Sequence, residues 1–336
     1  MPRRPLVSLS LVLVLTLAWA GAAAAAPGGI GPPTPETDSG NAISEIYWVV
    51  FAICAFVFVA IESALVLFVI RFRRRRDTPE EADGPQIHGN TRLEIIWTII
   101  PALMLVGIAV YTFARSPAVQ ANAKGNEELR IQVDAHQFYW QYTYPNGAIS
   151  YDHLRLPVGK TVALEIRTSD VNHSWWVPAL TGKMDAIAGQ TNVLRFKPKN
   201  TGTWEGECAE LCGTQHAVMY TRVTVLDEGA YDAWVQQEAG LSARELGKQA
   251  FQTVCAKCHG LQGQGDVGPA IAGNGTLTNR AGLITLLTEG QNTTQFDGYM
   301  PPVGLGWTRE QYDELVAYLK ATPALSAAQG GAQSGG

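Results

Sequence analysis

The chain reads as a mixed, multi-domain protein: a two-helix transmembrane hairpin, then an all-β sandwich, then an all-α domain. Three observations carry this. Residues 46–70 and 95–113 form apolar runs of 25 and 19 residues, each long enough to cross a bilayer as a helix. Short β-rich runs fill 128–226, and helical segments at 243–254 and 309–320 flank a glycine-rich middle.

The first residues hold Arg3 and Arg4, an apolar run over 6–20 and a small-residue stretch over 22–26, the three-part pattern of a secretory signal. A signal peptide is predicted over 1–26; an uncleaved first span competes with it but is short for a bilayer. A flexible Pro- and Gly-rich segment is expected over 27–42, and the hairpin over 43–115. The run Arg71-Phe72-Arg73-Arg74-Arg75-Arg76 between the spans places that loop on the cytoplasmic side. Everything after Ser116 then faces outward, in a bacterial cell membrane. A net charge of −5 argues against nucleic acid as a partner.

The sandwich is predicted over 124–228, with strands at LRIQVD, FYWQYT, VALEIRT, NVLRFK, GTWEGE and MYTRVTVL between Gly, Pro and Asn turns. A helix-like linker covers 229–242, the helical domain 243–322, and a disordered tail 323–336.

Five cysteines are present, and outside the cytoplasm their default fate is a disulfide. The segment Cys208-Ala-Glu210-Leu-Cys212-Gly-Thr-Gln-His216-Ala-Val-Met219 places two thiols, an imidazole and a thioether within twelve residues. Thiolate and thioether with imidazole select copper. Two thiolates four residues apart could bridge two copper ions, each completed by one histidine, and His173 would be the second. A Cys208–Cys212 disulfide and a zinc site are the competing readings; neither uses Met219.

Cys255-Ala-Lys-Cys258-His259 is a CxxCH, which supplies two thiols for thioether bonds to a haem edge and a histidine for its iron. Met300 follows as the only methionine after Met219, and a thioether axial ligand raises the reduction potential. The competing reading is a redox-active CxxC. His88, His136 and His153 are expected to be solvent or structural residues.

The copper segment, with Glu94-Ile-Ile-Trp97-Thr-Ile-Ile-Pro101, His136-Gln-Phe-Tyr-Trp140, His173-Ser-Trp and Lys183-Met-Asp185, resembles subunit II of the haem-copper cytochrome c oxidases over about 43–226. Residues 243–322 resemble a class I cytochrome c domain, so the whole is similar to the fused subunit of a caa-type oxidase. The resemblance implies a cupredoxin-like sandwich whose dinuclear copper centre is held by His173, Cys208, the Glu210 carbonyl, Cys212, His216 and Met219. It also implies magnesium at the Glu210 side chain and a proton-path role for Glu94. Implied partners are subunits I and III of the oxidase and an upstream donor such as a cytochrome bc complex or cytochrome c. In that family a tryptophan receives electrons where this chain has Phe138. No family counterpart exists for Glu62.

Three rival readings differ in what they require. A copper-bearing subunit of a nitric oxide reductase would share the copper loop, and a copper-delivery protein would show an exposed thiol pair without methionine or haem. A quinol oxidase subunit is excluded by the intact ligand set. Net charges of −1 over 243–322 and −2 over 124–228 predict a weak, largely uncharged contact between the two domains.

Overall fold

A computed structural model describes residues 31–73, 86, 88–120, 128–293 and 298–326. The expected signal peptide and Arg74–Arg76 lie outside these residues. The chain divides into a membrane unit and an extramembrane unit.

The membrane unit is a pair of long helices, α1 (Asp38–Phe72) and α2 (Thr91–Gln120), both apolar enough to cross a membrane. Their large apolar side chains are exposed along most of the length, as lipid-facing helices require. Arg115 pairs with Glu45 between the two. At the start of α2 the Asn90 side chain accepts from Leu93 N at 3.1 Å. The Glu94 carboxylate in turn accepts from Asn90 N at 3.1 Å. Glu94 therefore closes a reciprocal cap.

In the extramembrane unit, Glu36 N donates to Ala179 O at 2.8 Å and Thr37 Oγ1 to Leu180 O. The segment expected to be flexible over 27–42 is thus bonded to the sandwich at residues 36–37, because Thr37 caps the first turn of α1.

Ten strands form two five-stranded sheets. In chain order they are β1 Leu129–His136, β2 Tyr139–Thr143, β3 Ile149–Tyr151, β4 His153–Pro157, β5 Val162–Thr168, β6 His173–Trp176, β7 Met184–Ala186, β8 Asn192–Phe196, β9 Gly202–Cys208 and β10 Tyr220–Leu226. The first sheet runs β3-β2-β1-β5-β8 and the second β4-β10-β9-β6-β7. Within each, one pair is parallel, β1 with β5 and β4 with β10. Alternating side chains bury Ile131, Val133, Trp140 and Ile166 from one sheet against Leu154, Trp175, Val223 and Val225 from the other. Where a linker is expected, α3 (Glu228–Ala239) is capped by Asp227 and lays Tyr231 and Trp234 on the sandwich core.

The helical domain begins at α4 (Ala243–Ala250), started by a capping box of Ser242 and Glu245. A wider turn over Phe251–Cys255 and a last helical turn, Ala256–His259, continue it. Then come α5 (Arg280–Glu289), the ribbon β11 (Gln291–Thr293) with β12 (Gly298–Met300), α6 (Arg309–Ala321) and α7 (Pro323–Ser326). The tail expected from 323 is helical to Ser326, because Leu325 is fully buried in this domain's core. Phe251 of the long helix meets Tyr318 of α6 with ring centroids 5.5 Å apart.

Glu314 on α6 is half-buried, and loss of solvent pushes its carboxyl up to about 7 from 4.5. The unfolded chain releases that proton first. Ionisation therefore costs the fold nothing below pH 4.5, an increasing amount up to about 7, and a constant amount above. Glu314→Gln should stabilise the domain at pH 8 by about 1 kcal/mol, discounted for solvent screening, and by nothing below pH 4.5. Thermal melts at the two pH values check this.

Candidate metal and haem sites

The copper loop is the turn between β9 and β10, and the hydrogen bond from Cys208 N to Met219 O at 2.9 Å closes it at its base. His173 opens β6, which pairs with β9 so that Trp175 stands opposite Cys208. Pairing of these strands brings a residue thirty-five positions away onto the loop. His173, Cys208 and Cys212 are all buried, with ligand atoms within 4.8 Å of one another.

The donors interlock. The two sulfurs are 3.9 Å apart and both cysteines are free, so they are not a disulfide. His173 turns Nδ1 to Cys208 Sγ at 3.9 Å, and His216 turns Nδ1 to Cys212 Sγ at 3.6 Å. Met219 Sδ lies 3.8 Å from Cys212 Sγ, and the Glu210 carbonyl 3.2 Å from Cys208 Sγ. Each thiol thus has its own imidazole and one further donor. Six donors exceed what a tetrahedral zinc site uses, while soft sulfur with imidazole suits a pair of coppers. The contact between the sulfurs holds the Cys208 thiol far below its ordinary range and pushes Cys212 up.

Asp170 is a residue the sequence did not single out. Its Oδ1 takes His173 Nε2 at 2.8 Å, and its Oδ2 accepts from Gln137 N at 2.7 Å. Burial is the largest single influence and works to raise its carboxyl, but the bond and charge attraction of His173, with the hydrogen bonds from Gln137 N and Thr168, together outweigh it and hold the carboxyl below the usual range. The carboxylate fixes the imidazole with Nδ1 facing the sulfurs. A loop aspartate three residues before a histidine carries no distinguishing sequence signal. Asp170→Asn should weaken copper binding about 10- to 100-fold without unfolding the domain. Competition titration against a copper chelator, paired with a thermal melt, measures both.

In the helical domain, Cys255, Cys258 and His259 share the last turns of the long first helix. Both cysteines are free. His259 is buried, and its Nδ1 donates to Pro269 O at 2.8 Å, so that Nε2 is the nitrogen left for a metal. A Cβ at Gly268 would meet the His259 ring at 3.0 Å, so the glycine lets the loop lie flat on the imidazole. Met300, on β12, packs on the same apolar cluster as Cys255 and Ala256. This donor set fits a haem bound at both cysteines.

Glu210 points outward, its Oε2 3.9 Å from Lys183 Nζ. Among the described residues no further metal-binding group of acidic side chains gathers around it. Glu94 and Glu62 belong to the membrane unit, where Glu94 is tied to the α2 cap. His136 is buried, stacks on Tyr139 at 4.7 Å, and is pushed down to about 4 by burial. His153 meets Thr224 at 2.8 Å.

Two apolar spans, a β-sandwich with a buried sulfur and imidazole site, and a helical domain with a haem-attachment motif define a membrane-anchored electron-transfer protein. The comparisons agree piece by piece. The transmembrane domain of cytochrome c oxidase subunit II matches residues 30–114, its periplasmic domain matches 151–226, and the cbb3-type subunit III cytochrome domain matches 242–319. Cytochrome c oxidase subunit 2 of Alkalihalophilus pseudofirmus is 33% identical over 81% of this chain and 85% of its own length. That of Bacillus sp. (strain PS3) is 32% identical over 73% and 78%. The solved periplasmic domain of subunit II (CoxB) of Bradyrhizobium japonicum is 29% identical, with a TM-score of 0.33, over 34% of this chain and 95% of that one. The chain belongs to the cytochrome c oxidase subunit 2 family and carries an added cytochrome c domain. It is a subunit of a cytochrome c oxidase.

Proposed function

We propose that the chain passes electrons from a covalently bound haem c to a dinuclear copper centre, and from there to subunit I, where oxygen reduction is coupled to proton translocation. His173, Cys208, the Glu210 carbonyl, Cys212, His216 and Met219 would hold the copper pair; Cys255 and Cys258 would bind the haem, with His259 and Met300 at its iron. The two groups would supply one-electron redox chemistry with little rearrangement. The protein's own part is to keep the donors buried, to hold His173 through Asp170 and His259 through Pro269, and to exclude water from the sulfurs.

The observation that carries this reading is the interlocked donor ring in a folded unit that also holds the CxxCH. Both thiols are buried and Met219 is wholly enclosed, which speaks against a copper-delivery protein that must expose its thiols. We place both sites on the outer membrane face, with the arginines between α1 and α2 inside. Subunits I and III, and a cytochrome bc complex or cytochrome c as donor, would complete the chain. A magnesium ion at Glu210 would need donors from another subunit. Glu94 would contribute to proton uptake, and loss of pumping with retained turnover in Glu94→Gln would support that role.

The test is photoreduction of the haem in the purified complex. Haem reoxidation should be matched by bleaching of the copper absorption; reoxidation without bleaching rejects the reading. Oxygen rather than nitric oxide as the consumed gas separates it from a reductase of the latter.

A further inference from the structure

The helical domain packs on the outer face of the first sheet, and the contact includes a residue of the haem-attachment motif. Along β2 the side chains alternate. Trp140 and Tyr142 enter the sandwich core, whereas Tyr139 enters the core of the helical domain, so the strand keeps almost no solvent face. Tyr139 Oη donates to Val303 O at 2.6 Å and accepts from Trp307 Nε1 at 2.8 Å. Gln311 Nε2 donates to Gln141 Oε1 at 2.9 Å.

Lys257 lies between the two cysteines of the CxxCH and reaches across this contact. Its Nζ donates to Phe138 O at 2.9 Å and pairs with the Asp152 carboxylate. Asp152 is held in the left-handed region, φ 55°, with Oδ1 accepting from Trp140 N at 2.8 Å. On its other side the same short segment touches the copper loop. Gln137 Nε2 donates to Cys212 O, and a Cβ at Gly213 would lie 3.1 Å from the Phe138 ring.

We infer that Lys257 is a positioning residue: it seats the haem-attachment motif on the Gln137–Phe138 edge and makes that edge the connection to Cys212. The inference rests on the electron-carrying reading above. In the step it would serve, a haem held by Cys255, Cys258 and His259 would give up one electron and a copper pair held by Cys208 and Cys212 would take it up; no bond would form or break and no proton would move. The contact thus adds one charged element to the weak, largely uncharged contact that the net charges predict. It holds one largely enclosed ion pair, which salt screens little.

The full chain in its native complex tests this. In Lys257→Met, haem-to-copper transfer after photoreduction should fall about tenfold or more, as displacement of a positioned group does. Hydrogen exchange of the amides at 138–142 should rise, with haem content and copper absorption unchanged. Lys257→Arg keeps the charge and should restore most of the rate. Asp152→Asn, which tolerates the left-handed backbone, should slow transfer while leaving both metal spectra in place. Wild-type rate and wild-type exchange in Lys257→Met would overturn the inference alone. Absence of any haem-to-copper transfer in the unaltered chain would overturn the functional reading with it.

Discussion

Cys212→Ser is expected to empty the copper site, taking the chain from two coppers to one or none. Cys212 Sγ is the hub of the ring, in contact with Cys208 Sγ at 3.9 Å, His216 Nδ1 at 3.6 Å and Met219 Sδ at 3.8 Å. A serine hydroxyl is a hard donor that copper does not prefer, and it would neither bridge two ions nor leave Met219 a partner. Haem-to-copper transfer should fall by more than about a hundredfold, beyond the 10- to 100-fold cost of losing an outer partner of a metal ligand. Haem content should not change, because Cys212 belongs to the sandwich core and not to that of the helical domain. Metal analysis of the purified variant decides it: two coppers retained would remove Cys212 from the site.

Gly247→Ala should have the largest effect on stability. Residue 247 lies where α4 crosses α6, and a Cβ there would stand 1.9 Å from Glu314 O and 2.5 Å from its carbonyl carbon. These are backbone atoms and cannot rotate away, so the helices must part. Parting loosens the Phe251–Tyr318 contact and the core behind it. The gain in helix propensity, about 1 kcal/mol, does not offset this overpacking. We expect a net loss of about 3 kcal/mol and a melting midpoint lower by about 15 °C for a domain of this size. Calorimetry of the full-length chain, with the haem band as second probe, measures it; a midpoint within two degrees of wild type would contradict the close crossing.

Both spans, the sandwich and the helical domain follow from apolar periodicity, and most donors from local spacing. Cys208, Cys212, His216 and Met219 lie on one short loop, and Cys255, Cys258 and His259 on one turn, so chemistry and sequence proximity coincide. His173 is different. Its place depends on β6 pairing with β9, and β6 is four residues long with no alternation to reveal it. The strands Ile149–Tyr151 and Met184–Ala186 are three residues each, too short to carry a pattern, and His153–Pro157 alternates over only five residues; each lies at a sheet edge. Asp170 resembles any loop carboxylate until folding sets it on His173.

The domain contact was hidden more deeply. Summed charges of −1 and −2 say nothing about where a single lysine and a single aspartate meet. The run Phe138-Tyr139-Trp140 reads as one core face and one edge face, yet both faces are covered. Its near-continuous burial has two causes: Phe138 and Trp140 face the copper-bearing core, and Tyr139 enters the core of the neighbouring domain.

Electron paramagnetic resonance of the purified full-length chain, oxidised and paired with metal analysis, tests the central claim most directly. The donor ring predicts two coppers and one haem per chain, with hyperfine structure from one unpaired electron shared by two copper nuclei. A single-copper spectrum, or zinc in place of copper, would contradict it.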